Sequence, residues 1–230
     1  MPNALVTGVS RGLGRHLCRA LRAAGYRVLG AGLAASPDHP DVDDYRVLDL
    51  RNPEVASPFD PAEVDVLVSN AGVYLDDPRR GYGDLFALSA QDLRQTFEVN
   101  LFGAVALVQA YAPHMIARGR GRIVCVSSGM GRLQDADGAS FAYRASKLAA
   151  NSLVLSVARH FSDAAGDLAA FAYCPGWIRT EMGTEDAPHE PEPSAANLVE
   201  LLRLPAGRSN GRFFRGTAEL GWDTRGPMVG

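Results

Sequence analysis

The sequence has few cysteines and few histidines, and neither residue type forms a functional pattern. Its three cysteines, Cys18, Cys125 and Cys174, are far apart and make no C-x-x-C pair. An odd number of isolated cysteines predicts reduced structural thiols, as in a cytoplasmic protein. The five histidines are scattered without the spacing of metal ligands, so no metal site is predicted.

A strong net charge and a long apolar run are also lacking. The formal net charge is -3, so we expect neither a nucleic acid nor an anionic membrane as a partner. The arginine clusters "DDPRRGYG" (76–83) and "ARGRGR" (117–122) are short and mixed with glycine, which favours solvated turns. No apolar stretch predicts a membrane span, and the chain opens on "NALVTG" (3–8) without a charged leader, which favours a cytoplasmic location.

Short apolar runs instead alternate with longer segments of helical periodicity. The apolar runs predict strands at 3–7, 27–31, 45–49, 64–70, 122–128, 168–174 and 211–215, and the periodic segments predict helices at 12–24, 89–117, 140–163 and 194–203. Continuous apolar runs are typical of strands buried on both faces. The pattern predicts one α/β domain over 1–230, a Rossmann-type doubly wound parallel sheet of about seven strands with helices on both faces.

Two connections depart from this alternation. Between Asp49 and Val64 three prolines leave little room for a crossover helix, so a short or poorly helical connection is predicted. The stretch "GTEDAPHEPEPS" (183–194) is acidic and rich in proline, and it predicts an exposed loop that acts as a lid.

Glycines follow the first predicted strand and lead into the first predicted helix. Gly8 permits a sharp turn, and the absence of a Cβ at Gly12 and Gly14 lets a pyrophosphate and the helix approach the backbone. The start of the helix then offers free N–H groups and the positive end of its dipole to phosphates. This stretch predicts a dinucleotide site.

Tyr143 and Lys147 lie one turn apart on the third predicted helix, and therefore on the same face. By itself such a pair is typical of a solvent-exposed helix surface. A nearby ammonium, however, favours a phenolate and is expected to lower the pKa of the tyrosine from about 10. The pair therefore also suits proton transfer, and the rest of the chain decides between the two interpretations.

Six stretches occur in an order that resembles the short-chain dehydrogenase/reductase family. They are "TGVSRGLG" (7–14), "NAG" (70–72), "VNLFG" (99–103), "VSS" (126–128), "YRASK" (143–147) and "CPGWIRTEM" (174–182). Together they are distributed over most of the chain, from residue 7 to residue 182. The end of the chain is similar to the C-factor-like branch, close to the carbonyl and sepiapterin reductases.

The resemblance implies an oxidoreductase that interconverts a carbonyl and an alcohol by hydride transfer. It implies that Tyr143 is the general acid and base, that Lys147 tunes Tyr143 and binds the ribose, and that Ser128 holds the substrate oxygen. Asn100 is implied to position a relay water. Ser127 is the alternative to Ser128, which is preferred because it stands three residues before Gly131.

The resemblance also implies the residues that bind a nicotinamide dinucleotide. Besides Tyr143 and Lys147 they are Gly8, Ser10, Arg11, Gly12, Leu13, Gly14, Asp49, Leu50, Asn70, Ala71, Gly72, Pro175, Gly176, Ile178 and Thr180. Gly32 and Leu33 replace the acidic residue that would read the ribose 2′-hydroxyl of NAD. Because Arg11 can meet a 2′-phosphate, NADP is favoured and NAD stays open.

The substrate is predicted to be a small-molecule carbonyl compound or alcohol that is bulky and hydrophobic or aromatic, and a pterin-like or natural-product ketone also fits. Its pocket is predicted to include Tyr74, Leu75, Met130, Leu133, Phe141, Trp177 and Met182. Apolar helices around Asn100 and Tyr143 predict a homodimer or homotetramer. A non-catalytic NAD(P)-binding sensor on the same fold is the alternative function, and sugar-nucleotide epimerisation would need a longer C-terminal region.

Overall fold

The computed structural model describes residues 1–35, 39–52 and 57–222 of the 230-residue chain. Its strands are β1 Asn3–Thr7, β2 Arg27–Gly32, β3 Asp44–Val47, β4 Val66–Ser69, β5 Arg120–Val126, β6 Asp167–Cys174, β7 Phe213–Arg215 and β8 Ala218–Leu220. Its helices are α1 Gly12–Ala23, α2 Ala90–Phe97, α3 Gly103–Arg118, α4 Phe141–Asp163, α5 Pro191–Leu202 and α6 Ala206–Ser209. A π-helical segment, Glu98–Phe102, joins α2 to α3.

The strands form one sheet in the order β3-β2-β1-β4-β5-β6-β7-β8. Every neighbouring pair is parallel except β7 and β8, which are antiparallel. The predicted doubly wound parallel sheet is therefore confirmed, with β8 as an additional edge strand. β8 was not predicted because its three residues are short and largely exposed.

Alternate residues of the central strands belong to two apolar layers on opposite faces of the sheet. Ala4 and Val6 face the layer formed with α1 and α5, whereas Leu5 faces the layer formed with α3 and α4. Both faces of β1 are thus buried, which explains why its central residues, Ala4 to Val6, are all apolar.

The loop predicted at 183–194 ends earlier than expected. Helix α5 begins at Pro191, so the "PEPS" stretch forms its first turn rather than part of the loop. Proline is favoured at the first helical position because its missing N–H needs no partner there. The connection between β3 and β4 carries a 3-10 helix at Pro61–Glu63, in agreement with the predicted poor helicity, while Pro53 lies outside the described residues.

The continuous helix Ala90–Arg118 meets the length and composition criteria of a membrane span, with a mean hydropathy of 1.3 in its most apolar window. The expectation that no stretch would do so was wrong, because α2, the π-helical segment and α3 run on as one helix. Leu107, Tyr111 and Met115 of this helix are completely buried against the sheet. A core helix of a globular protein meets the same criteria, so the observation is weak evidence for a membrane.

The strand order places a crevice at the carboxyl ends of β1 and β4. These strands are neighbours, but the chain leaves β1 toward β2 on one side and leaves β4 toward β5 on the other. Ligands of open α/β sheets bind at such a topological switch point. The glycine-rich turn after β1 and the "NAG" segment after β4 both lie at this edge.

Candidate active site

The glycine-rich turn has the geometry of a phosphate cradle. Gly8 and Gly12 have left-handed φ values of 72° and 54°. A Cβ at Gly14 would lie 2.1 Å from the carbonyl oxygen of Gly8, so α1 approaches the end of β1 too closely for any side chain. Arg11 at the N-cap makes no side-chain cap bond, and the first turn of α1 has no acidic residue. The N–H groups and dipole of α1 therefore fit the phosphates of a dinucleotide.

Ser10 and Leu13 of this turn have structural contacts of their own. The Ser10 side chain lies near the hydroxyl of Tyr45 and lowers its pKa, and the side chain of Leu13 is buried in the layer between α1 and the sheet. Only the backbone of Leu13 is left to meet a ligand.

The "NAG" segment is bound tightly to the same turn. The side chain of Asn70 donates to the carbonyl oxygen of Thr7 at 2.8 Å, and the amide of Ala71 donates to the Thr7 hydroxyl at 3.0 Å. A Cβ on Gly8 would lie 2.9 Å from the Cα of Ala71. The glycine-rich turn and the "NAG" segment thus form one continuous surface, which we call the floor of the site.

The turn after β6 lies next to the glycine-rich turn. Pro175 accepts a hydrogen bond from the hydroxyl of Ser194, and Gly176 has a left-handed φ of 82°. The side chain of Ile178 is buried, so its backbone is the part left for a ligand. Thr180 lies beside Gly12, with 3.6 Å between the Thr180 Cβ and the position a Gly12 Cβ would take.

Two predicted cofactor residues after β3 are used within the protein. Asp49 forms a bidentate ion pair with Arg51, with its closest contact at 2.6 Å. The side chain of Leu50 is buried against Gly103 at the start of α3. The part of Leu50 that remains for a dinucleotide is its backbone.

Tyr143, Lys147 and Ser128 meet at the carboxyl end of β5. The Lys147 Nζ lies 5.7 Å from the centroid of the Tyr143 ring and donates to the carbonyl oxygen of Val126 at 2.9 Å. The Ser128 side chain lies beside the Tyr143 hydroxyl and lowers the pKa of the phenol, and its Oγ accepts from the amide of Met130 at 3.1 Å. The Ser127 hydroxyl instead donates to the side chain of Asn151 at 2.6 Å, which directs it into the protein. Of the two serines, Ser128 is the one beside the phenol.

The pKa of Tyr143 departs from the expectation based on charge. Its side chain is almost completely buried, with 8% of the residue exposed, and burial raises the pKa of the phenol above its usual range. The Ser128 side chain and the positive charge of Arg79 lower the pKa, but they do not overcome burial. The expectation that the pKa of Tyr143 lies below its usual value is therefore wrong, because desolvation is the larger effect.

Lys147 is itself a buried cation. Only 5% of the residue is exposed, and burial lowers the pKa of its ammonium to about 8, while Cys125 and Cys174 act weakly in the opposite direction. Because this pKa lies close to neutral pH, the amine gains and loses its proton readily near neutral pH.

A Lys147→Met variant should reveal the cost of this burial. Below pH 8 both the folded and the unfolded chain carry the lysine charge, and the folded chain must bury it. Between pH 8 and about 10.4 the folded chain loses the proton first, so the stability of the wild type rises with pH. We expect the stability of the wild type relative to Lys147→Met to increase by up to about 3 kcal/mol over this interval. Urea unfolding of both proteins from pH 7 to 10 measures it, and a pH-independent difference would contradict it.

Asn100 lies at the centre of the π-helical segment and is held on both ends of its amide. Its Oδ1 accepts from the amide of Val73 at 2.8 Å, and its Nδ2 donates to the hydroxyl of Ser146 at 3.0 Å. A Cβ on Gly72 would lie 3.2 Å from the Asn100 Oδ1 and 3.5 Å from the Lys147 Nζ. The structure thus brings Asn100, Gly72 and Lys147 together.

Asp76 is a site residue that sequence reasoning missed. Its carboxylate is 2% exposed and accepts from the amide of Ala142 at 2.7 Å and that of Tyr143 at 3.2 Å. It caps the N-terminus of α4, whose own N-cap, Ser140, has a left-handed φ of 58°. The sequence signal was a pair of aspartates three residues beyond "NAG", at the start of a stretch predicted to be a solvated turn.

The stretch 76–83 is an exposed turn from Pro78 to Tyr82, as its composition suggests, but its first two residues are not solvated. Both Asp76 and Asp77 are buried, and Arg79 pairs with Asp77 at 2.7 Å. The neighbouring Tyr74 stacks on Tyr143, with 4.3 Å between ring centroids, and its hydroxyl bonds to that of Ser140 at 2.6 Å.

The fold and this site define an oxidoreductase of the Rossmann-type α/β class. A family model described as short chain dehydrogenase matches residues 34–191. The chain belongs to the short-chain dehydrogenase family, whose members use NAD or NADP. The family predicted from the sequence is confirmed.

Named relatives agree with the predicted branch. The C-signal protein of Myxococcus xanthus is 32% identical over 162 residues, which cover 69% of this chain and 93% of that protein. The carbonyl reductase Sniffer of D. melanogaster shares the fold, with a TM-score of 0.82 at 24% identity over 96% of this chain and 100% of that one. A short-chain dehydrogenase of Burkholderia cenocepacia, solved in complex with NADP, has a TM-score of 0.78 at 26% identity, covering 93% and 95% of the two chains.

Proposed function

We propose that this protein is an NADP(H)-dependent reductase of ketones or aldehydes, which can also oxidise the corresponding alcohols. The observation that carries the proposal is the meeting of Tyr143, Lys147 and Ser128 at the strand ends, beside the floor formed by Gly8 and Ala71. A proton donor, a cation and a hydroxyl thus surround the place where a nicotinamide would lie.

Each group has one task in this proposal. The bound dinucleotide supplies or accepts the hydride. Tyr143 gives its proton to the carbonyl oxygen, and the Ser128 hydroxyl holds that oxygen in line with the phenol. Lys147 binds the ribose hydroxyls, and its charge favours the phenolate left after proton transfer. Asn100, fixed by Val73 and Ser146, positions a water that connects Lys147 to solvent.

The remaining contacts are assigned to the dinucleotide. The turn from Gly8 to Gly14, including Ser10, would cradle its phosphates, Asp49 and the backbone of Leu50 would meet the adenine, and residues 70–72 would lie beneath the ribose. Pro175, Gly176, the backbone of Ile178, and Thr180 would hold the carboxamide. The left-handed glycines and the close approach of α1 to β1 support this assignment.

A screen of carbonyl compounds tests the proposed activity. Aromatic aldehydes, bulky ketones and pterin-like ketones should be offered with NADPH or NADH, and loss of dinucleotide absorbance should be followed. We expect turnover with at least one aromatic or bulky compound and none with Tyr143→Phe. Tight dinucleotide binding without turnover of any compound would instead favour a regulatory protein that senses the cofactor.

The preference for NADP is proposed on the side chains near the adenosine ribose. Leu33 after β2 is exposed and carries no charge that would repel a 2′-phosphate. The exposed side chain of Arg11 forms an ion pair with Glu181, and it lies at the start of α1 where a 2′-phosphate could replace that carboxylate. Arginine binds both groups well, because its guanidinium can donate two parallel hydrogen bonds to the oxygens of a carboxylate or of a phosphate.

An Arg11→Ala variant should lose NADPH affinity selectively. Losing one charge-assisted contact costs about 1.5–3 kcal/mol, so we expect the Kd for NADPH to rise at least about tenfold. The Kd for NADH should stay the same, because NADH has no phosphate at this position. Fluorescence titration with both cofactors measures the change, with Arg159→Ala on the outer face of α4 as the control. Equal weakening of both cofactors would refute the assignment.

The surroundings of the site support a hydrophobic substrate and a homo-oligomer. Trp177, Met182, Leu133 and Phe141 are partly or largely exposed apolar side chains around the site. Phe102 and Leu155 are also exposed, on the helices that carry Asn100 and Tyr143. We assign these helices to contacts between copies, either in a dimer or in a tetramer, which analytical ultracentrifugation distinguishes. The buried free cysteines support a cytoplasmic location.

A further inference from the structure

The guanidinium of Arg79 connects two aromatic side chains of the substrate region. Its central carbon lies 5.7 Å from the ring centroid of Tyr74 and 5.6 Å from that of Trp177. The Tyr74 ring stacks in turn on the ring of Tyr143. Arg79 thus links the tyrosine of α4 to the tryptophan that follows β6, and both distances are within cation–π range.

A buried carboxylate fixes the direction of this guanidinium. The side chain of Asp77 is 1% exposed and accepts from the Arg79 Nε at 2.9 Å and from its Nη2 at 2.7 Å. The same carboxylate accepts the Arg79 backbone amide at 3.0 Å. A bidentate pair of this kind restricts the plane of the guanidinium as well as its position.

The remaining donors of Arg79 bind the loop after β6. Its Nη1 donates to the carbonyl oxygen of Gly183 and its Nη2 to that of Met182, both at 3.0 Å. The indole N–H of Trp177 donates to the same Gly183 oxygen at 2.5 Å. Residues 177–183 are therefore attached to the segment after β4 through Arg79, and its neighbour Arg80 adds a bond to the carbonyl oxygen of Glu181.

We propose that Arg79 is a positioning residue that determines substrate specificity. It holds Tyr74 and Trp177 as two aromatic walls and keeps residues 177–183 against them, so that planar aromatic carbonyl compounds are bound in preference to short aliphatic ones. This inference rests on the proposed reductase function, because the walls select a substrate only if a carbonyl compound enters. Arg79 itself stays outside the proton-transfer step.

Kinetics of Arg79→Lys test the proposal. Lysine keeps a positive charge opposite Asp77, but it has no planar group to lie over two rings and bind two carbonyls at once. We expect the KM for an aromatic aldehyde to rise at least about tenfold, while kcat changes less than about threefold, as for a loss of uniform binding. The KM for a short aliphatic aldehyde should change little. Arg159→Lys, on the exposed face of α4, is the matched control.

The fluorescence of Trp177 reports on the position of this aromatic wall without any turnover. The chain has two tryptophans, so Trp222→Phe leaves Trp177 as the only fluorophore of its kind. In that background Arg79→Lys should shift Trp177 emission to longer wavelength and increase its quenching by acrylamide. An unchanged KM for the aromatic aldehyde together with unchanged Trp177 emission would overturn the proposal.

These two measurements separate the failure of this inference from failure of the proposed function. If the wild type reduces no carbonyl compound, the reductase function fails, whereas Trp177 emission still decides whether Arg79 positions the wall. If Arg79→Lys does not fold, the double variant Asp77→Asn/Arg79→Gln removes the buried charge together with its partner. Altered Trp177 emission in the folded double variant supports the proposal. If the emission is that of the wild type, or if the double variant also fails to fold, Arg79 has only a structural role and the proposal is overturned.

Discussion

Replacement of Tyr143 by phenylalanine should abolish nearly all turnover while leaving the fold and dinucleotide binding intact. The phenol is the proposed proton donor, and general acid catalysis contributes about 10²–10⁴-fold to a rate. We therefore expect kcat to fall by about that factor. Phenylalanine retains the ring that stacks on Tyr74, so the packing of the site is preserved. Steady-state kinetics and titration with NADPH measure the two quantities separately.

Tyr111→Phe is a suitable control for this variant. Tyr111 is also a buried tyrosine, and it lies on α3 away from the site. Its hydroxyl donates to the carbonyl oxygen of Phe59 at 3.0 Å and accepts from the amide of Phe59 at 3.3 Å. Losing these two bonds should cost about 1–3 kcal/mol of stability and should leave turnover at the wild-type level. If Tyr143→Phe kept more than about a tenth of the wild-type kcat, proton transfer would have to be assigned to another group.

Replacement of Gly14 by alanine should damage both stability and cofactor binding. The new Cβ would lie 2.1 Å from the Gly8 carbonyl oxygen and 2.8 Å from the Asn70 Nδ2, so the backbone of the glycine-rich turn must move. Overpacking of this kind costs about 1–3 kcal/mol, against the gain of about 1 kcal/mol that alanine normally brings to a helix. Because the amide groups of the turn move away from the phosphates, we expect the Kd for NADPH to rise at least about tenfold.

Gly207→Ala provides the matched comparison for Gly14→Ala. Gly207 lies in the short helix α6, and a Cβ there would have no neighbour within 4 Å. We expect this control to be as stable as the wild type or slightly more stable. Thermal unfolding compares the three proteins. A Gly14→Ala protein that melts at or above the wild-type temperature would show that the turn accommodates a side chain, and the phosphate cradle would then be wrong.

Much of the fold could be predicted because its strands are buried on both faces. β1 has a continuous apolar centre and β6 has no charged residue after Asp167, so their sequences are distinct from those of the helices that follow them. β8 and α6 could not be predicted, since three or four largely exposed residues produce no periodic pattern. The start of α5 was missed for a different reason. Its prolines were read as breakers, although Pro191 occupies the one helical position that favours proline.

The site was predictable where its residues are near one another in sequence. The spacing of Tyr143 and Lys147 on one helix and of the glycines on one turn could be read directly. Asp76 and Tyr74 could not, because they reach Tyr143 and its helix from 66 or more residues away and no local pattern marks such contacts. The direction of the Tyr143 pKa was missed because burial, unlike charge, depends on the whole tertiary structure.

The cap that Asp76 provides for α4 ties the assembly of the candidate active site to the order of folding events. Its bond to Ala142 spans 66 residues, so closing it requires a large loss of chain entropy before any local gain. We therefore expect the first turn of α4 to become fixed only after β4 and its neighbours have assembled. During refolding, helical signal should return ahead of enzymatic competence, which makes recovered activity a late reporter of the native state.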